Sequence, residues 1–276
     1  MTYLKGLKIT FPKNKVSQKD VIELSKQIFK TEQSFVKMLN IYKNAGVESR
    51  FIVKEIDWYK ENHNWKTRSL LFREHALQLL KSCISKTLES TKIDVKKLGA
   101  IVYINTTGIS TPTIDAELIN FFCLNSNIIR VPIFGYGCAG GVLGLSRANE
   151  IFNYTKKPVL VCNLELCSLT FRPNDFSKAN IISTALFGDG ASSYLIDNEG
   201  DCEILSTFEF TWKDTLNLMG WNIENDGLAV VFDKSIPDFI ENRFPKLIKK
   251  IKPIIDGYIL HPGSNKILKA YEKIFN

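Results

Sequence analysis

Phe134-Gly135-Tyr136-Gly137-Cys138-Ala139-Gly140-Gly141 joins two different periodicities. Before it, Val131–Phe134 is a short apolar run that reads as a strand. After it, Ala139–Tyr154 carries apolar residues at helical spacing. A strand feeding a helix through a glycine-rich turn is the repeating unit of layered α/β folds. The glycines permit a tight backbone and close approach by a ligand. A cysteine at this place lies at a helix N-terminus, where the macrodipole and free N–H groups favour the thiolate. The same residues suit a buried structural cysteine equally well, and the turn alone leaves both readings open.

The alternation continues on both sides of the turn. Ser17 with Asp20 forms a capping-box pattern for a helix through Phe29. A second helix is expected over Ser34–Asn44, stopping at Gly46. Ser69–Leu88 is long and amphipathic, with Leu70, Leu71, Ala76, Leu77, Leu80 and Ile84 near a 3.6 period. Gly99–Asn105 and Pro158–Leu164 read as buried strands of a largely parallel sheet. Pro112 and Asp115 open a helix through Leu124, and Gly188–Ile196 is a turn and strand. Beyond the acidic turn Asp197–Asp201, strands are expected at Glu203–Trp212, Leu228–Phe232 and Gly257–Leu260. Helices are expected from Ser235 to Lys250, with Pro237 in the first turn, and from Asn265 to Phe275.

Composition removes several classes. In 276 residues, 45% are apolar and 24% charged, which excludes disorder and fibrous repeats. The longest apolar run, Leu98–Ile104, is too short to span a bilayer, and the N-terminus has no signal-peptide core, so a cytoplasmic location is expected. The net charge of +7 is dispersed. Its densest patch, Lys246, Lys249, Lys250 and Lys252, suits the solvated C-terminus of a helix. No nucleic-acid motif is present, whereas an anionic small molecule is compatible with the charge. The six cysteines form no C-x-x-C pair and have no histidine at ligand spacing, so no metal site is expected.

Two further elements stand out. His261-Pro262-Gly263 follows an expected strand, where a histidine can project into a cleft and act on a thiol or a carbonyl oxygen. Taken alone it suits a surface position as well. Phe187-Gly188-Asp189-Gly190 precedes a strand and reads as a tight turn with Asp189 in a structural role.

Taken in order, these elements resemble the type III polyketide synthases, the chalcone and stilbene synthase group of the thiolase superfamily. The resemblance spans nearly the whole chain. It rests on Gly46-Val47-Glu48-Ser49-Arg50, Ser110-Thr111-Pro112, the cysteine turn, Glu165-Leu166-Cys167-Ser168-Leu169-Thr170-Phe171, the Phe187–Gly190 turn, Asp226-Gly227-Leu228 and His261-Pro262-Gly263. It implies a thiolase-like αβαβα layered fold of two similar halves, 1–197 and 198–276, the second incomplete. It also implies an acyltransferase that loads a starter acyl group from coenzyme A onto Cys138 and extends it with malonyl-coenzyme A by decarboxylative condensation.

The resemblance assigns residues to roles. Cys138 is the acyl-accepting nucleophile, and His261 its imidazolium partner. Phe187 is an aromatic gate, with Val230 where the family has a second aromatic. Cys167 and Thr170 are cavity-wall positions. Arg50 is a coenzyme A contact. Thr111 reaches a neighbouring subunit's cavity in a homodimer. Cys138 is therefore expected to alkylate faster than the other cysteines below neutral pH. The family's second oxyanion donor, an asparagine, lies past the histidine element, and this chain stops at Asn276 before that region. Loss of such a donor costs about a hundredfold to a thousandfold in rate. A ketoacyl carrier-protein synthase III-like enzyme is a related alternative, although it carries His-Gln-Ala-Asn where this chain has His261-Pro262-Gly263-Ser264. A catalytically silent, truncated partner of a full-length synthase is another.

Overall fold

Ser17 caps the first helix in a computed structural model that describes residues 1–29, 33–249 and 255–275. Its hydroxyl accepts the Asp20 N–H at 3.1 Å, while the Asp20 carboxylate accepts the Ser17 N–H at 2.9 Å, the reciprocal pair the sequence announces. Chain order is β1 (Tyr3–Thr10), β2 (Asn14–Ser17), α1 (Gln18–Ile28), α2 (Gln33–Asn44), β3 (Ser49–Ile52) and α3 (Trp65–Thr91). It continues with β4 (Ala100–Asn105), α4 (Ile114–Phe121), β5 (Ile129–Phe134), α5 (Gly140–Thr155), β6 (Val159–Leu166), α6 (Lys178–Leu186), β7 (Asp189–Asp197) and β8 (Cys202–Glu203). The last elements are β9 (Met219–Glu224), β10 (Gly227–Phe232), α7 (Ile236–Ile248) and α8 (Asn265–Phe275).

One six-stranded sheet, ordered β5-β4-β6-β7-β1-β8, organises the first two hundred or so residues. β4 is its apolar centre, buried along its whole length because helices cover both faces. On one face α3 packs Ala76, Leu80 and Ile84 among Ile101, Tyr103 and Leu160. On the other, Ala148 and Phe152 of α5 meet Val102, Val159 and Val161. Asn64 caps α3, which starts at Trp65, four residues before the expected Ser69; its side chain accepts the Thr67 N–H at 2.9 Å.

The sheet is less parallel than its sequence pattern suggests. β5, β4 and β6 are parallel, but β7 runs antiparallel to β6 and to β1. The register pairs Leu166 with Asp189, so the connection through α6 re-enters the sheet at the edge it left. Such a return reverses the strand, and buried antiparallel strands carry the same apolar runs as parallel ones.

After β8 the expected pattern fails twice. Of Glu203–Trp212 only Glu203 is in a strand, and the next strand is Met219–Glu224, which pairs with β10 as a hairpin. Gly257–Leu260 is not a strand: no described strand lies beside it to take its backbone hydrogen bonds. Apolar runs alone do not make strands without such partners. The expected helix end at Lys250, and Lys250 and Lys252 of the basic patch, lie outside the described residues. The hairpin joins the main body through Asp226, which accepts the Arg172 Nε–H at 2.8 Å. α7 and α8 pack on each other, with the rings of Phe244 and Tyr271 5.6 Å apart. No described helix is long and apolar enough to cross a membrane.

β3 delivers Arg50 into the body, where only 6% of it is exposed. Its guanidinium donates to the carbonyls of Thr184, Ala185 and Phe187 and to the Gln18 side chain. These carbonyls close the C-terminal turn of α6, which has no other cation to cap it. Burial lowers the Arg50 pKa to about 10, and the group stays charged at neutral pH. The hydrogen-bonded donors of Arg50 all meet groups inside the protein, an arrangement that competes with the coenzyme A contact expected from sequence. Arg50→Met should lower unfolding stability in urea by about 3 kcal/mol, by stranding carbonyls in the interior, and leave coenzyme A affinity unchanged. Unchanged stability with weakened coenzyme A binding would restore the original assignment.

Candidate active site

Parallel β5 ends at Phe134, and the chain turns through a single 3-10 turn, Gly137–Ala139, into α5. Gly137 has φ +53, a left-handed conformation that a side chain would strain. Gly140 serves a different need: a Cβ there would sit 2.7 Å from Ile104 Cγ2, so its absence lets α5 lie close on β4. Between them Cys138 is held at the surface of the turn, exposed to solvent.

A hydrogen-bond relay fixes this turn from below. The Gly137 N–H donates to Thr106 Oγ1 at 2.9 Å. The Thr106 N–H and the Thr107 hydroxyl donate to Glu165 Oε2 at 3.1 and 2.7 Å. Thr107 Oγ1 also accepts the Leu166 N–H at 2.8 Å. Beside this relay Asp189 accepts from the Val53 and Ser168 N–H groups at 2.9 and 2.8 Å. Burial pushes both carboxyls up to about 7, against the opposing pull of these donors.

These charges decide the state of the thiols. Enough protein surrounds Cys138 that desolvation raises its pKa, although its surface is exposed, and the Glu165 carboxylate raises it further. Cys167, deeper at the start of the Cys167–Thr170 turn, is pushed up well beyond the ordinary thiol by burial, then by Glu165, Asp189 and Cys138. His261 is exposed in an irregular segment, and desolvation lowers its pKa. No charge of either residue acts on the other among the influences that shift them. Both shifts favour the neutral thiol and the neutral imidazole over the thiolate–imidazolium pair expected from sequence.

The remaining candidates fall into two groups. Phe187 caps α6 and meets the ring of Trp221 edge-on, with centroids 6.4 Å apart. Val230 stands directly opposite Trp221 in the β9–β10 register, so the two share a face of the hairpin. Thr170 is buried and donates to the Cys167 carbonyl at 2.8 Å. Thr111 stands apart, exposed on the loop between β4 and α4. Glu165 and Trp221 received no role from sequence. The first carried a signal, a lone acid inside the apolar strand Val159–Leu166; the second becomes visible only once the hairpin register is known. Among the described residues no cluster of His, Cys, Asp or Glu could hold a metal ion.

A helix-covered mixed sheet with a cysteine on its strand-to-helix turn is the architecture of the type III polyketide synthases. The structure superposes on 1,3,6,8-tetrahydroxynaphthalene synthase of Streptomyces coelicolor with a TM-score of 0.93, at 22% identity, over 98% of this chain and 80% of that one. It matches the CsyB structure complexed with CoA-SH at a TM-score of 0.86 and 17% identity, over 99% and 82% of the two chains. Residues 2–200 match the family described as chalcone and stilbene synthases, N-terminal domain. A chalcone synthase candidate of Bacillus subtilis (strain 168) is 31% identical over 99% of this chain and 81% of its own length. The chain belongs to the chalcone and stilbene synthase family.

The two buried carboxyls set a pH dependence. Each holds a proton in the folded state that the unfolded chain releases at lower pH, so stability falls as pH rises from about 4 to about 7. For Glu165 the loss amounts to about 3 kcal/mol. Denaturant titrations at pH 5 and pH 8 should show that Glu165→Gln removes a loss of this size. The same variant should alkylate faster at Cys138 with iodoacetamide at pH 8, since one cause of the raised thiol pKa is gone. An unchanged pH slope and an unchanged alkylation rate would refute the coupling.

Proposed function

We propose that this chain is an acyltransferase that takes a starter acyl group from a coenzyme A thioester onto Cys138 and extends it with malonyl-coenzyme A. The observation that carries the reading is the exposed Cys138 on a glycine-built turn, in a chain of this family. In the loading step the Cys138 sulfur attacks the thioester carbonyl while His261, neutral at rest, accepts the thiol proton. The new bond is Cys138 Sγ to the acyl carbon; the bond broken is that carbon to the coenzyme A sulfur. The departing thiolate then recovers the proton from His261.

Condensation follows on the same sulfur. Malonyl thioester loses carbon dioxide, and the enolate carbon attacks the acyl carbon and expels Cys138, lengthening the chain by two carbons. Phe187, Trp221 and Val230 form the wall past which the thioester enters, with Cys167 and Thr170 deeper. The halves 1–197 and 198–276 meet around this site, and Thr111 reaches the cavity of a second copy in a homodimer.

Intact-mass measurement tests the first step directly. Incubation with an acyl-coenzyme A should add one acyl group to the protein, and Cys138→Ala should abolish the adduct. His261→Ala should slow its formation about a hundredfold, within the range for loss of a general base. A folded protein that takes up no acyl group, or takes it up equally without Cys138, would refute the proposal.

A further inference from the structure

The β9–β10 hairpin is fastened to the body at its turn. Along β9 every residue but Trp221 is exposed, whereas Gly227 and Leu228, just past the turn, are buried. Asp226, in the turn itself, accepts the Arg172 Nε–H at 2.8 Å. The Nη1 arm of the same guanidinium donates to Asp175 Oδ2 at 3.1 Å. None of these three side chains is more than 22% exposed. A second cation, Arg68 of α3, lies beneath the turn: a Cβ on Gly227 would stand 3.6 Å from its Cδ. Burial lowers the Arg68 pKa, and the Asp226 carboxylate acts against that shift. The Arg68 guanidinium is engaged with the carbonyls of His63, Leu169 and Phe171, at 2.9, 2.7 and 2.6 Å. Arg172 is therefore the cation that takes the carboxylate of the hairpin.

Arg172 is itself fixed to α6. Asn180, buried in the first turn of that helix, donates to the carbonyls of Arg172 and Asp175 at 2.8 and 2.7 Å. Phe187 caps the other end of α6. The ring and the hairpin thus share one frame, with Arg172 at the start of α6, Phe187 at its end and Asp226 tying the hairpin to it. Trp221 and Val230 stand further along the hairpin, away from the tie. Val230 lies four residues past Asp226, about 13 Å along an extended strand, so a tilt of about 10° at the tie displaces it by about 2 Å. Such a tilt parts Trp221 from Phe187, whose ring centroids now lie 6.4 Å apart. It also lifts β10 from α6 and from the Cys167–Thr170 turn, on both of which that strand packs.

We infer that Arg172 and Asp226 are positioning residues whose ion pair latches the hairpin, keeping Trp221 on Phe187 and β10 over Cys167. The kinetic consequence rests on the acyltransferase reading above: the wall past which the thioester enters keeps its shape only while the pair is made. The latch itself needs no acyl chemistry and is read out separately. A partly buried pair suits this task, because its attraction is screened less by salt than that of a surface pair. The planar fork of a guanidinium also fixes direction as well as distance. Neither side chain supplies a group to bond making or breaking, so both act through the rings that they place.

Iodoacetamide labelling at pH 8, mapped to each cysteine by peptide mass, reads the latch. Cys83 and Cys162, both 0% exposed in the main core, report opening of the whole body. In Arg172→Gln and in Asp226→Ala, Cys167 should label at least fivefold faster, with Cys83 and Cys162 within twofold of wild type. The double variant should match either single, since both remove the same pair. Asp226→Glu should hold Cys167 within twofold of wild type. Unchanged Cys167 labelling, a rise that Cys83 and Cys162 share, or multiplied effects in the double variant would overturn the latch. Acyl loading from acetyl-coenzyme A reads the kinetic consequence. Both single variants should raise the half-saturating concentration at least fivefold and leave the limiting rate within twofold. An unchanged half-saturating concentration, or a fall in the limiting rate alone, overturns the role in loading. If no acyl group loads onto the wild-type protein, the acyltransferase reading fails, and the cysteine labelling decides the latch by itself.

Discussion

Glu165 at the end of β6 and Asp189 at the start of β7 are buried carboxyls on neighbouring strands, and between them they hold the loops that make the site. Asp189 ties Val53 to Ser168; Glu165 ties the end of β4 to the strand beside it. The loops after β4 and β6 leave the same end of the main sheet, where main-chain N–H groups would otherwise lack partners. A carboxylate accepts several such donors at once, which a neutral side chain does not. The burial that makes the arrangement tight also makes its charge expensive, and each carboxyl settles near neutrality as a result.

That compromise governs the nucleophile. A turn at a helix N-terminus argues for a thiolate when it is considered alone. Placed over Glu165 and surrounded by protein, Cys138 experiences the opposite field. The dipole of a helix end is a fraction of an elementary charge, whereas a carboxylate supplies a whole one in a low-dielectric setting. Sulfur chemistry at this site is therefore tied to proton transfer at the moment of attack.

The sequence disclosed most of the first two hundred residues because local and global signals agree there. The Ser17–Asp20 box, the apolar run at Gly99–Asn105 and the glycines around Cys138 each specify geometry within a few residues. What it hid depends on distant partners. Gly257–Leu260 has a strand's composition and no described strand beside it. Met219–Glu224 is largely exposed and pairs only because Gly227–Phe232 folds back on it. Arg50 resembles a ligand contact until α6 is seen to present its carbonyls to it. Trp221 gains meaning from Phe187 and Val230, which lie on two other segments of chain.

Gly46, at φ +74, stops α2 and also meets the far end of the chain: a Cβ on it would stand 2.3 Å from Asn265 Oδ1. Asn265 opens α8, four positions past His261. The contact sets an N-terminal turn against the first residue of a C-terminal helix. A side chain at position 46 would be strained by the left-handed backbone and would have to push aside the amide of a residue more than two hundred positions away.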